Sequence, residues 1–149
     1  MLSTWKDIAV FLDATPPDGQ KIGRHAAAIA SRHKAHLVGV YGILRDSQLY
    51  HDSYARGEKA IGDVIAKQRH ARERKVLSAG KHFADLSNEY GVGSEFRIVW
   101  SDIGDEDTAL RALHCDLIIA AHPTPQDLPE SWSAERLLLN TGTPVLLIT

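Results

Sequence analysis

Short, wholly apolar runs alternate along this chain with stretches whose apolar residues recur at helical spacing, and that alternation leaves few folds open. Ile8-Ala9-Val10-Phe11-Leu12, Leu37-Val38-Gly39-Val40-Tyr41-Gly42-Ile43-Leu44, Leu117-Ile118-Ile119-Ala120-Ala121 and Val145-Leu146-Leu147-Ile148 each carry the continuous hydrophobicity of a strand buried on both faces. Phe96-Arg97-Ile98-Val99-Trp100 alternates instead, which predicts a strand with one wetter face, at a sheet edge. After the turn Pro16-Pro17-Asp18-Gly19, the spacing of Ile22, Ala26, Ile29, Ala30 and His33 predicts a helix. Residues 54–90 read as one long helix closed by Gly91-Val92-Gly93, weakened at Gly57, Gly62 and Gly80 by about 1 kcal/mol each relative to alanine. The acidic stretch Asp102 to Asp107 opens a further helix that continues through Leu113. A last helix lies near Ser131–Asn140 and exits at Thr141-Gly142. Five strands alternating with four helices predict one α/β domain over residues 1–149: a doubly wound five-stranded parallel sheet with helices on both faces.

Composition narrows the function classes. Seventeen basic against nineteen acidic side chains leave a net charge of −2, which gives no sequence-wide electrostatic reason to bind nucleic acid or a membrane surface. The single cysteine, Cys115, excludes an internal disulfide framework and a multi-cysteine metal knot. No apolar run approaches the roughly 18 residues of a membrane span. Met1 to Asp7 lacks a basic segment followed by an apolar one, so no signal peptide is expected and the chain reads as cytoplasmic.

Several doubly wound families share this layout, and their sites separate them. A receiver domain needs an acidic pair after the first strand, but Asp13 stands alone, and the third strand ends on Trp100 rather than an aspartate. A flavodoxin needs a Ser/Thr/Gly-rich phosphate loop where this chain has Ala14-Thr15-Pro16-Pro17. Neither Gly-x-Gly-x-x-Gly nor a Gly-x-x-x-x-Gly-Lys-Ser/Thr loop is present. In order and spacing, four stretches resemble the universal stress protein (UspA-like) family. They are Lys6 to Asp13, His36 to Gly42, Cys115 to Ala121, and Ser133-Ala134-Glu135-Arg136-Leu137-Leu138 through Thr143-Pro144-Val145-Leu146-Leu147-Ile148. The resemblance covers the whole chain. It implies the universal stress protein, or adenine nucleotide alpha hydrolase-like, fold with strand order 3-2-1-4-5, and a role in stress response.

Many members of that family bind ATP through a loop after the fourth strand, Gly-x-x-Gly, nine residues, then Gly-Ser/Thr. Glycines let backbone N–H groups close on phosphate oxygens, and the next helix adds its dipole. This chain departs from the pattern. His122-Pro123-Thr124-Pro125-Gln126-Asp127-Leu128-Pro129-Glu130-Ser131-Trp132 holds no glycine, and three prolines remove three backbone donors. Asp127 and Glu130 add negative charge where a triphosphate would sit. Each lost hydrogen bond to a charged acceptor is worth about 1.5–3 kcal/mol, so ATP is not expected to be held and no cofactor is expected. What the resemblance still carries over is Asp13 facing the nucleotide, Val40 beside adenine, and Ser131 at the Gly of the Gly-Ser/Thr step. Ser131 reads equally as a helix N-cap.

No His-x-x-x-His or His-Glu-x-x-His spacing occurs among the eight histidines, so no metal site is expected. His122, at the carboxyl end of the fourth strand, reads either as a crevice ligand paired with Asp13 or as a loop histidine bonded within its own turn. Cys115 reads as a buried small hydrophobe. Lys67, Arg69, Arg72, Arg74 and Lys75 spread around a helix as a solvated surface, not a nucleic-acid stripe. No nucleophile–base order or carboxylate pair marks a catalytic centre, so no catalytic residue is assigned and the chain is expected not to be an enzyme. The last strand, Val145, Leu146, Leu147 and Ile148, is apolar with no helix after it in this sequence, and at a sheet edge it needs covering. The resemblance implies a homodimer through it, with an unidentified protein as further partner. Two alternatives are a divergent ATP binder with slow hydrolysis, and a small-ligand or metal sensor using Asp13 and His122.

Overall fold

The computed structural model describes residues 5–12, 18–44, 58–101, 110, 113–124 and 132–149. Within them run β1 (Asp7–Leu12), α1 (Asp18–His33), β2 (His36–Leu44), α2 (Glu58–Glu89), β3 (Ser94–Ser101), β4 (Leu117–Ala121), α3 (Ala134–Thr141) and β5 (Val145–Ile148). The strands form one parallel sheet in the order β3-β2-β1-β4-β5. The expected arrangement is therefore the observed one, with the alternating strand β3 at one edge. The helix expected from Asp102 to Leu113 lies outside the described residues, except that Leu110 is helical and both Leu110 and Leu113 are buried.

β1 is central, and its alternation builds two cores. Ile8, Val10 and Leu12 face α1 and α2, packing with Ile22, Ala26, Phe83 and Leu86. Ala9 and Phe11 face the other way, toward Val38, Val40, Ile118, Trp132 and Leu137. Each large apolar side chain taken fully from water contributes about 1.5–3 kcal/mol, so a strand filled on both sides has no alternative register to slip into.

Small residues decide how closely the layers approach. A Cβ at Gly39 of β2 would stand 2.8 Å from the Phe83 ring, so only glycine lets α2 settle onto the sheet at this point. Gly91 after α2 and Gly142 after α3 both hold φ at 66°, the left-handed conformation that ends helices and that side chains resist. Ser133, not Ser131, occupies the N-cap position of α3, and its side chain makes no capping hydrogen bond.

Asp116 fixes the amino end of the sheet. Its carboxylate accepts the backbone N–H of Lys6 at 2.8 Å and of Asp7 at 3.1 Å, tying the start of β1 to the residue before β4. Among the described residues, no helix is long and apolar enough to cross a membrane.

Candidate functional site

The strand order reverses between β1 and its neighbours β2 and β4, so the crevice beyond the carboxyl ends of β1 and β4 is where ligands of open α/β sheets bind. Asp13 and Ser131, two of the residues carried over from the nucleotide site, lie outside the described residues, as does Pro125 to Glu130 of the loop. Val40, the third, is buried in β2, level with Phe11 of β1 on one side and Arg97 of β3 on the other. His122 is exposed just past β4, and its backbone N–H donates to the Ile148 carbonyl at 2.9 Å, carrying the β4–β5 ladder one step further. Among the described residues, no group of three or more His, Cys, Asp or Glu could hold a metal ion.

Two residues that sequence reasoning did not single out shape this end of the molecule. Trp132, immediately before α3, is only 1% exposed and meets Phe11 edge-on, with ring centroids 4.9 Å apart and planes at 72°. Such a pair adds about 0.5–1.5 kcal/mol beyond burial. The indole Nε1 of Trp132 is buried and has no hydrogen-bond partner among the described residues.

Arg97 is the second. A cavity of about 300 Å³ lies on the same face of the sheet, and Arg97, Ile98 and Val99 of β3 line it together with Phe11, Val40 and Trp132. Leu110 and Leu113 complete its walls. Arg97 Nε donates to Glu95 Oε1 at 2.7 Å, and Nη2 reaches Oε2 at 3.5 Å. Glu95 also stands 3.8 Å from His36 Nε2. The hydrogen bond from Arg97 holds the Glu95 carboxyl below its ordinary range, and Glu95 in turn raises the guanidinium's proton affinity. Cys115, half-buried before β4, has its thiol pushed up to about 11, by burial first and then by the charges of Asp116 and Asp7. It is a packing residue rather than a nucleophile.

At the far edge, β5 pairs with β4 alone among the described strands. Val145 and Ile148 are half-buried, whereas Leu146 and Leu147 are 38% and 45% exposed, and Leu138 and Leu139 of the neighbouring α3 are more exposed still.

No family model matches the chain, and no curated protein matches it. Solved structures do. A universal stress protein in complex with cAMP superposes with a TM-score of 0.64 over 99% of both chains at 15% identity. A universal stress protein family member from Burkholderia pseudomallei gives 0.59 over 99% of this chain and 98% of its own, at 23% identity. The universal stress protein of Archaeoglobus fulgidus in complex with dAMP gives 0.58 over 99% and 100%, at 14% identity. The chain has the universal stress protein fold.

Proposed function

We propose that this chain acts as a universal stress protein that works in the cytoplasm by association rather than catalysis, pairing with a second copy through β5 and holding no ATP. The observation that carries the reading is the inequality of the two sheet edges. The β3 edge bears the charged Glu95–Arg97 pair, a common guard against edge-to-edge pairing. The β5 edge is Val-Leu-Leu-Ile without a charge, half-exposed, and continuous with Leu138 and Leu139. A second copy laid along it would bury those side chains and satisfy the outer ladder. The remaining function, binding of a protein partner in a stress response, rests on the family likeness.

Against ATP stand the glycine-free, proline-rich loop and the Trp132 ring seated on Phe11. The nucleotide reading draws its support from neighbours solved with cAMP and dAMP, and calorimetry separates the two. Titration with Mg-ATP, dAMP and cAMP is expected to give no saturable heat at low micromolar concentration, and saturation there reverses the assignment. Sedimentation at micromolar concentration is expected to give a dimer that Leu147→Glu converts to monomer, because pairing would bury an unpartnered charge. A monomeric native protein refutes the association reading.

A further inference from the structure

The sheet face that carries Phe11 and Val40 is not filled. The cavity of about 300 Å³ beneath it is walled by the apolar side chains of Phe11, Val40, Val99, Leu110 and Leu113. Among the described residues, the two polar side chains that line it are of one kind. The Trp132 indole can only donate, and so can the guanidinium of Arg97. No carboxylate, amide or hydroxyl side chain of the described residues lines it. Glu95 engages Arg97 through Nε–H and one Nη2–H, which leaves three of the guanidinium's five N–H groups unused by that pair. Trp132 Nε1–H is buried with no acceptor among the described residues. A cavity at the small end of the range for ligand sites, roughly 300–1,000 Å³, takes a single ring with a short side arm rather than a nucleoside polyphosphate.

We propose that this cavity binds a small aromatic monocarboxylate, its ring against the apolar walls and its carboxylate accepting from Trp132 Nε1–H and the unused N–H groups of Arg97. Ring burial supplies affinity, and two donor-only side chains select an acceptor-only headgroup over a neutral alcohol or an amine. Glu95 offsets the guanidinium's charge, so the headgroup is held by hydrogen bonds from the remaining N–H groups rather than by net charge, and a phosphate chain finds no excess of positive charge.

Phenylacetate serves as the probe, with 2-phenylethanol as the isosteric ring lacking the carboxylate and AMP as the nucleotide control. The indole ¹⁵N–¹H resonance of Trp132 is assigned by elimination with Trp5→Phe and Trp100→Phe, since the chain has three tryptophans. Phenylacetate is expected to move that resonance saturably in the 149-residue chain, with 2-phenylethanol binding at least about tenfold more weakly. Arg97→Met, whose pair with Glu95 is half-exposed and whose folding is checked by thermal melting, is expected to weaken phenylacetate by about tenfold or more. Where that variant does not fold, Arg97→Lys replaces it, with a smaller loss of affinity expected because the charge stays and the fork is lost. The absence of a saturable shift at millimolar phenylacetate overturns the assignment. So does equal binding of 2-phenylethanol, unchanged affinity in a folded Arg97 variant, or a preference for AMP.

Discussion

Replacing Gly39 by alanine should destabilise this protein even though the change improves strand propensity. Glycine inside a regular element is ordinarily about 0.5–1 kcal/mol worse than alanine. At Gly39, however, the added methyl would meet Phe83 Cζ at 2.8 Å, Cε2 at 2.9 Å and Leu12 Cδ1 at 3.1 Å. Phe83 is 3% exposed, and its ring lies 5.9 Å from that of Phe96, so retreat from the methyl transmits the strain to a second ring. Overpacking a filled core costs about 1–3 kcal/mol, which outweighs the propensity gain. Gly62, on the exposed side of α2 with nothing within 4 Å of a built Cβ, supplies the contrast: alanine there should stabilise by about 0.5–1 kcal/mol. Urea unfolding followed by circular dichroism reads both, as midpoints moving in opposite directions at unchanged slope. Phe83→Leu should relieve part of the Gly39→Ala penalty, with a coupling above about 0.5 kcal/mol. Two midpoints rising together would refute the packing argument.

The Asp116 carboxyl is held below its ordinary value of 3.8 by the backbone N–H groups of Lys6 and Asp7. A depressed native pKa contributes stability above the unfolded value that is lost as pH falls through the folded one. Asp116→Ala should therefore cost about 1 kcal/mol or less at neutral pH, given its exposure, and the gap from the native protein should close below about pH 4 in acid titration of the unfolding midpoint. Cys115, with its thiol raised from 9.0 to about 11, should react with iodoacetamide about a hundredfold more slowly than an unstructured cysteine at pH 7.5. Equal rates would show that burial does not control this thiol.

The sheet was legible because its central strands are unbroken apolar runs between proline and glycine turns, and the edge position of β3 because Phe96 to Trp100 alternates. β3 nonetheless starts two residues earlier, at Ser94, and runs on to Ser101. Polar Ser94 and Glu95 hide that start, since an edge strand needs only one apolar face. The cavity was not legible at all. Phe11, Val40 and Arg97 belong to one row only after three parallel strands settle into register, and nothing local in the sequence marks that row. Trp132 read only as part of the first turn of the last helix, whereas α3 begins at Ala134. Its burial comes from β1 and β2, far away along the chain.

The strands are not fastened equally. Eight residues of β2 lie in register with eight of β3, whereas β5 meets β4 over four, helped by the bond from Lys21 Nζ to the Thr149 carbonyl at 3.0 Å. The β1–β4 register is shorter still, at three residues, but both of its strands are held from two sides, so local opening starts at β5, which is held from one side only among the described strands. In the monomeric Leu147→Glu variant, native-state hydrogen exchange should then release the amides of residues 145–148 by fraying while those of Ile8 to Val10 wait for global unfolding. An uncovered β5 would thus detach and rejoin as a unit long before the rest of the sheet yields, and a second copy laid along it would close that seam.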